Sequence, residues 1–304
     1  MDQAAGLRDL KKNEQERTDK ADAAGRAVRA TPLRDHRIRV ISITSGKGGV
    51  GKTNISANLA YALAKRGKKV LILDADMGLA NIDVILGLTP KFNLSHVLAG
   101  ERTISETIMT GPGGIRILPS ASGVQEMADL TKEQKLTLLD ELNSLNEDID
   151  YLLIDTAAGI AGNVMYFNMA AEEIIVIATR EPTSLTDAYA LIKVLYQRHN
   201  KKRFKLLVNM VKNQTEAKEV YFRLSQATDH FLGLAIEYLG FILHDEKMQE
   251  AVRKQRVLSE LHPTSQANKC IVTVAEKLCR EQPILDGSGH LKFFWEQIID
   301  RDRG

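Results

Sequence analysis

Short runs of consecutive apolar residues alternate along the chain with longer segments whose apolar residues recur every three or four positions. The continuous runs predict strands that are buried on both faces, and the three-to-four spacing predicts amphipathic helices. The predicted strands cover residues 38–44, 70–73, 115–118, 151–154, 174–178, 204–208 and 236–242. The predicted helices cover residues 53–66, 131–146, 161–171, 185–199 and 216–231.

Strands that alternate with helices favour a mostly parallel sheet with helices on both of its faces. We therefore predict a single three-layer α/β domain over residues 38–281. The preceding residues 1–37 contain few large apolar side chains, so they form a flexible arm that cannot build a core alone. Residues 282–304 begin with a linker that contains Pro, Gly and Ser, and they end in a short apolar segment.

Composition and charge narrow the class of protein. The 304 residues include 41 Lys+Arg and 39 Asp+Glu, for a net charge of +2. This balance argues against binding to DNA through bulk charge, since the basic excess lies in the N-terminal arm. Two cysteines are too few for a disulfide scaffold, and no apolar run reaches the length of a membrane span. With the polar first residues, these features predict a cytoplasmic globular protein.

One loop carries a strong chemical signal, because it matches G-x-x-x-x-G-K-[ST] between a predicted strand and a predicted helix. Its glycines let successive N–H groups face phosphate oxygens, and the start of the helix adds its positive dipole end. We expect Lys52 to contact the β- and γ-phosphates and the Thr53 hydroxyl to bind Mg²⁺. The predicted ATP contacts are Gly46, Lys47, Gly48, Gly49, Val50, Gly51, Lys52, Thr53 and the following Asn54.

Lys47 is a second lysine in this loop, at a position that the plain motif leaves unconstrained. With it, the loop resembles the deviant Walker A motif of the MinD/ParA family of SIMIBI-class P-loop ATPases. In that family this lysine reaches the nucleotide of a partner subunit, so the resemblance implies an ATP-dependent homodimer with Lys47 at its interface. A cation supplied by a partner stabilises charge in the transition state of phosphoryl transfer. A solvated surface lysine is the alternative.

The resemblance extends to two acidic segments. Residues 73–81 are similar to the switch I segment of the family, which implies that Asp76 acts with Lys47 and Lys52 in catalysis and lies at the metal. Residues 153–159 resemble Walker B with switch II, which implies that Asp155 holds Mg²⁺, although Ala157 stands where the family usually has proline. Asp74 is interpreted as a strand-end or capping residue.

Two further residues are assigned from the same resemblance. Residues 181–187 are similar to a segment that supplies dimer contacts in MinD-like proteins, which implies an interface role for Asp187. The start of a helix is the alternative interpretation. Asn209 ends a predicted strand where the family has an Asn that contacts adenine, and an amide offers both a donor and an acceptor to the base. A turn-forming Asn is the alternative there.

The C-terminal segment has apolar residues at the spacing of one helical face, and it contains the only tryptophan of the chain. A bulky apolar face after a linker favours a helix that lies on a membrane surface. Acidic residues on the polar side weaken attraction to anionic lipid, and docking on a protein surface is the alternative. The predicted membrane contacts are Leu291, Phe294, Trp295, Ile298 and Ile299.

The first residues resemble the D-Q-A-x-x-L-R motif that opens the FlhG family, the flagellar branch of the MinD-like ATPases. In that family the N-terminal segment stimulates the GTPase FlhF. The resemblance therefore implies that Gln3 activates the partner GTPase and that Asp2, Leu7 and Arg8 are docking contacts. It also implies flagellar C-ring components as partners.

These resemblances together imply a slow, Mg²⁺-dependent ATPase that dimerises with ATP and regulates flagellar number and placement. Its ATP-bound form is expected at the inner face of the cell membrane. A DNA-segregation ATPase of the ParA type is an alternative, but it predicts a basic surface on a body that is slightly acidic overall. A catalytically silent ATP-binding scaffold is a further alternative, and the presence of Lys47, Lys52, Thr53, Asp76 and Asp155 argues against it.

Overall fold

The computed structural model describes residues 38–76, 81–120, 131–144 and 149–281, and one sheet runs through these residues. Its strands are β1 (Arg39–Ser45), β2 (Val70–Ala75), β3 (Met109–Thr110), β4 (Arg116–Leu118), β5 (Tyr151–Ala158), β6 (Glu173–Ala178), β7 (Phe204–Val211) and β8 (Glu237–Leu243). Their order across the sheet is β3-β4-β2-β5-β1-β6-β7-β8. Neighbouring strands are parallel except for β3 and β4. The predicted α/β fold with a mostly parallel sheet is therefore confirmed.

The connections between these strands are mostly helical. The helices are α1 (Lys52–Ala64), α2 (Ile82–Leu86), α3 (Leu94–Leu98), α4 (Ile104–Thr107), α5 (Lys132–Ser144), α6 (Gly162–Ala170), α7 (Pro182–His199), α8 (Gln214–Leu232), α9 (Glu246–Arg253), α10 (Leu258–Leu261) and α11 (Gln266–Arg280). In the part of the chain that the structure describes, none of these helices is both long enough and apolar enough to span a bilayer.

Alternate residues of each central strand enter opposite layers of the core. In β1, Ile41 and Ile43 join a cluster that includes Leu59 of α1 and Leu278 of α11, whereas Val40 joins Phe167 of α6 on the other face. A third cluster covers β6 and β7 with α7 and α8. Because both faces are covered, these strands are apolar at successive positions, which is the pattern that predicted them.

The structure also contains elements that the sequence pattern did not predict. The largest is α11, whose buried residues include Ile271, Val274 and Leu278 and which packs on α1 and β8. Its apolar positions follow helical spacing, so the signal was present. The short helices α2, α3, α4, α9 and α10 contain only four to eight residues, which is too few for a periodic pattern to stand out.

The predictions for the two ends of the chain lie outside the described residues. These are the GTPase-activating residues Asp2, Gln3, Leu7 and Arg8 and the membrane contacts Leu291, Phe294, Trp295, Ile298 and Ile299. They remain predictions from the sequence.

Candidate functional site: the phosphate loop and its carboxylates

The predicted phosphate loop lies at the carboxyl ends of the parallel strands, between β1 and α1. Ligands bind at this edge of open α/β sheets. Gly51 is the N-cap of α1 in the left-handed conformation, with φ of 89°, so the loop enters the helix through a geometry that favours glycine. The free N–H groups of the first turn of α1 therefore face the loop, as an anion site requires.

Two glycines of this loop are also required by close packing. A Cβ atom on Gly51 would lie 2.6 Å from Nδ2 of Asn209, and one on Gly46 would lie 2.1 Å from the carbonyl oxygen of Asp187. Both distances are shorter than real contacts of a Cβ atom, so the loop lies directly against β7 on one side and α7 on the other. This packing fixes the position of the loop in the fold.

Lys52, the last lysine of the motif, is only 9% exposed although it is a cation. Burial lowers the pKa of its ammonium group, and the negative charges of Asp155 and Asp76 oppose that change. A buried ammonium group at a helix N-terminus is suited to bind a polyanion. Bound phosphate would supply the negative charge and the hydrogen-bond acceptors that water provides to an exposed lysine.

Asp155 lies in β5 and is 1% exposed. Burial raises its pKa to about 6, against hydrogen bonds from Ser56 and Thr53 and the charge of Lys52. The Ser56 hydroxyl donates to Oδ1 at 2.8 Å, while Oδ2 is buried and has no hydrogen-bond partner among the described residues. Mg²⁺ prefers oxygen ligands such as carboxylates and hydroxyls. A buried carboxylate oxygen that accepts no hydrogen bond, near a threonine hydroxyl, therefore fits the metal that the sequence implies.

Asp74 lies near the end of β2, which is the neighbour of β5 in the sheet, and is in register with Asp155, while Asp76 directly follows β2. Burial and the charge of Asp155 raise the pKa of Asp74 to about 8. Its carboxylate accepts hydrogen bonds from the backbone N–H groups of Asp76, Asn81 and Ile82. Asp74 therefore caps the start of α2, which agrees with the capping role expected for it.

Asn209 is buried at the end of β7, and its Nδ2 donates to the carbonyl oxygen of Val50 at 2.8 Å. In this geometry the amide holds the phosphate loop, and its contact with adenine remains a prediction. The next residue, Met210, has a φ of 58° and is exposed, while its neighbours in β7 are buried. The register between β7 and β8 shifts between Val208 and Val211, which shows that β7 has a bulge at this point.

Lys47 is hydrogen-bonded within its own chain. Its Nζ contacts a carboxylate oxygen of Glu181 and the hydroxyl of Thr183, which is 2.9 Å away. Hydrogen bonding and the charge of Lys47 lower the pKa of the exposed Glu181. Glu181 is the N-cap of α7, and Asp187 lies in the second turn of that helix, so Asp187 belongs to the start of α7 without capping it. Its interface role remains a prediction.

The structure brings most of the predicted site residues to one place. Lys52, Thr53, Asp76 and Asp155 interact with one another at the carboxyl edge, and Asn209 contacts the loop that precedes them. Sequence reasoning missed Ser56, which orients Asp155. It is a polar residue on the buried side of α1, and that position was the available signal. It also missed the contact of Glu181 and Thr183 with Lys47, because these residues are more than 130 positions apart.

Comparison with known proteins agrees with this geometry. A sequence-family model described as an AAA domain matches residues 38–208. The antiactivator FleN of Pseudomonas aeruginosa is 45% identical over 264 residues, which cover 87% of this chain and 94% of FleN. The flagellum site-determining protein YlxH of Helicobacter pylori is 37% identical over 78% of this chain and 80% of YlxH.

Solved structures show the same similarity. The septum site-determining protein MinD of Pyrococcus horikoshii, in complex with Mg-ADP, superposes with a TM-score of 0.67 at 27% identity. The match covers 80% of this chain and 96% of that protein. That neighbour therefore binds a magnesium nucleotide on a fold like the one described here.

Proposed function

The chain belongs to the FlhG/MinD-like P-loop ATPases, and we propose that it is an ATP-dependent switch that regulates flagellar number and placement. The names of two similar relatives, an antiactivator and a flagellum site-determining protein, support the flagellar role. In this proposal the ATP-bound form is a membrane-associated homodimer that stimulates the GTPase FlhF, and slow hydrolysis returns it to the cytoplasm.

One observation supports the ATPase activity above the others. Lys52, Thr53 and Asp155 meet at the start of α1, and Oδ2 of Asp155 is buried there without a donor among the described residues. Thr53 and Asp155, with Asp76 beside them, would hold Mg²⁺, which neutralises negative charge on the phosphate oxygens when bound. Lys52 and the N–H groups of the loop would bind the β- and γ-phosphates.

Two residues are assigned the transfer step. Asp76 accepts a hydrogen bond from the water that attacks the γ-phosphorus, and this bond orients the water. Lys47 of a second copy adds positive charge to the transition state, in the way of an arginine finger. Within one chain Lys47 contacts Glu181 and Thr183, so dimerisation requires that it leave these partners. Because that ion pair is exposed, breaking it has a small cost.

Membrane binding is assigned to the C-terminal residues 291–299 and FlhF stimulation to the first eight residues. A single short amphipathic helix with mixed charge binds a bilayer weakly. Two helices in an ATP-bound dimer bind with the avidity that one lacks. In this proposal dimerisation controls localisation through avidity, and FlhF and the flagellar C-ring components are the partners that the ATP-bound dimer meets at the membrane.

Two measurements test the proposal. We expect Mg²⁺-dependent ATP hydrolysis, and we expect the full chain to pellet with anionic liposomes in ATP but not in ADP. A chain that ends at residue 289 should hydrolyse ATP and stay in the supernatant. Equal pelleting of both chains in both nucleotides would overturn the membrane switch, while the absence of ATP hydrolysis would overturn the enzyme.

A separate measurement tests the effect on FlhF. The full chain should raise the GTP turnover of FlhF, and Gln3→Ala should abolish this rise without changing ATP hydrolysis, because a glutamine orients water in GTP hydrolysis. Arg17→Ala, in the same arm, is the matched control and should stimulate as the unchanged chain does. Equal stimulation by Gln3→Ala would contradict the assignment.

A further inference from the structure

We infer that Asp74 is a positioning residue for ATP hydrolysis: it binds the backbone N–H group of Asp76 and those at the start of α2, and so sets the place of the Asp76 carboxylate. This inference rests on the proposed ATPase activity. Asp74 contacts neither the phosphate loop nor Lys52 in the described hydrogen bonds, so its effect on the reaction passes through Asp76.

The contacts of the Asp74 carboxylate show how it holds this segment. Oδ1 accepts a hydrogen bond from the N–H group of Asp76 at 3.1 Å. Oδ2 accepts from the N–H groups of Asn81 at 3.1 Å and Ile82 at 3.3 Å. The two oxygens therefore bind residues on opposite sides of positions 77–80. One side chain therefore binds the backbone directly after β2 and the backbone at the start of α2.

Only an aspartate fits this arrangement well. The side chain is 1% exposed, so there is no room for a longer residue or for water to replace it. Both oxygens of the aspartate side chain can accept an N–H group whether or not one of them carries a proton, whereas the amide nitrogen of asparagine carries two donor hydrogens and cannot accept. An asparagine of the same size would therefore lose the bonds on one side of the segment.

The far end of α2 is also fixed to the body of the domain. Nε2 of Gln255 donates to the carbonyl oxygen of Val84 at 2.9 Å. A Cβ atom on Gly87, the C-cap of α2, would lie 3.2 Å from the Cβ of Gln255. Because α2 is held at its C-terminal end as well, the bonds of Asp74 to Asn81 and Ile82 are made to a fixed element. The third bond then transfers that fixed position to Asp76.

This position matters because a small displacement of a group that orients a reactant costs much of its effect on the rate. The register of β2 and β5 places Asp74 beside Asp155, the predicted metal ligand. Asp74 is also two residues before Asp76, the predicted catalytic residue. A role confined to stability would lower the melting temperature and leave the hydrolysis step of the folded protein intact. The two roles can therefore be separated.

The experiment is a double-mutant cycle on the full chain with Asp74→Asn, Asp76→Asn and both changes together. We expect Asp74→Asn to lower kcat for ATP at least tenfold and to change the Kd of a fluorescent ADP analogue less than threefold. In the Asp76→Asn background, Asp74→Asn should lower kcat by less than twofold, because the residue it positions is already absent. Asp83→Asn is the matched control: it removes an acid from α2, the helix whose start Asp74 binds, and it should change kcat less than twofold.

The possible results separate the two proposals. If the unchanged protein has no ATP turnover, the proposed ATPase function is wrong, and that result is distinct from a failure of the positioning role of Asp74. If it hydrolyses ATP and Asp74→Asn keeps its kcat, or if the two changes multiply independently, the positioning role is wrong. Should Asp74→Asn fail to fold, Asp74→Ser provides the test, because a smaller hydroxyl accepts one N–H and fits the space; a kcat within twofold of the unchanged protein would overturn the inference.

Discussion

The two edges of the central sheet are built on opposite electrostatic rules. At the amino-terminal edge, Arg39 of β1 lies between Glu173 of β6 and Glu281, and Lys205 of β7 contacts the same two acids. Opposite charges alternate there. At the carboxyl edge, two acidic side chains, Asp74 and Asp155, are buried in register beside each other.

The pKa shifts of the buried groups differ in the same way. At the amino-terminal edge, burial raises the pKa of Glu173, but hydrogen bonds and charge from Arg39 and Lys205 outweigh it and the pKa is lowered. At the carboxyl edge, burial raises the pKa of Asp155 to about 6 and that of Asp74 to about 8. At the first edge Arg39 and Lys205 pair with both acids, although Oε1 of Glu281 is buried without a hydrogen-bond partner among the described residues. At the second edge Oδ2 of Asp155 also has no such partner, and it lies beside the buried Lys52 at the start of the helix that follows the phosphate loop, which together favour a binding site.

The largest expected effect on stability lies at the amino-terminal edge. Glu173→Gln leaves the buried Arg39 and Lys205 with one fewer carboxylate, and loss of one partner of a buried ion pair costs about 3 kcal/mol of unfolding free energy. We expect denaturant unfolding to show this loss while the nucleotide Kd stays within twofold. Glu276→Gln removes the exposed pair with Arg66 and is the control, with a loss below about 1 kcal/mol. Similar losses in both variants would contradict the comparison.

The next effect is a loss of function without a loss of stability. Lys52→Ala removes the buried cation that would bind the phosphates, and we expect ATP turnover to fall roughly a hundredfold, the effect of removing one preorganised charge stabiliser. Because burial already lowers the pKa of Lys52, the melting temperature should stay within a few degrees. Lys65→Ala, at the other end of α1, is the control for turnover. A variant that retains turnover would remove Lys52 from the site.

The sequence predicted the fold and the phosphate loop for physical reasons that do not apply everywhere. Strands such as β1 and β6 are buried on both faces, so local composition identifies them. The loop at residues 46–53 is contiguous, and its residue types follow from the shape of a phosphate. The role of Ser56 depends on β5, which is about a hundred residues away, so no local pattern contains it.

The same limit applies to the charges at both edges. Arg39 and Glu173 are 134 positions apart and become neighbours only because β6 lies next to β1 in the sheet. The sequence predicted a strand-end or capping role for Asp74, but the N–H groups that it binds, those of Asn81 and Ile82, are identified only by the position of α2 in the fold. Contacts that topology creates are therefore the part of the site that sequence reasoning cannot supply.

A smaller effect concerns pH. The folded pKa values of Asp74 and Asp155, about 8 and about 6, lie above the ordinary value of 3.8. The folded state therefore binds more protons than the unfolded state from about pH 4 up to about pH 8, and above pH 6 the difference comes mainly from Asp74. Stability therefore falls as pH rises from 6 to 8. We expect denaturant unfolding to show this fall, and Asp74→Asn should flatten it. Magnesium nucleotide should bind more weakly below pH 6, because Asp155 must be ionised to hold the metal. Stability that rises from pH 6 to 8 would contradict the raised pKa of Asp74.

The smallest expected effect concerns the exposed ion pair at the carboxyl edge. Glu181→Gln weakens the hold of this chain on Lys47, which keeps only the Thr183 hydroxyl as a strong partner among the described contacts. Each exposed pair contributes less than about 1 kcal/mol and a homodimer releases two of them, so dimerisation in ATP should become at most about thirtyfold tighter, measured by analytical ultracentrifugation. Glu219→Gln, an acid on α8 without a described link to Lys47, is the control and should leave dimerisation unchanged. Weaker dimerisation of Glu181→Gln would show that Glu181 acts across the interface, and the ion pair would then belong to the dimer and not to the single chain.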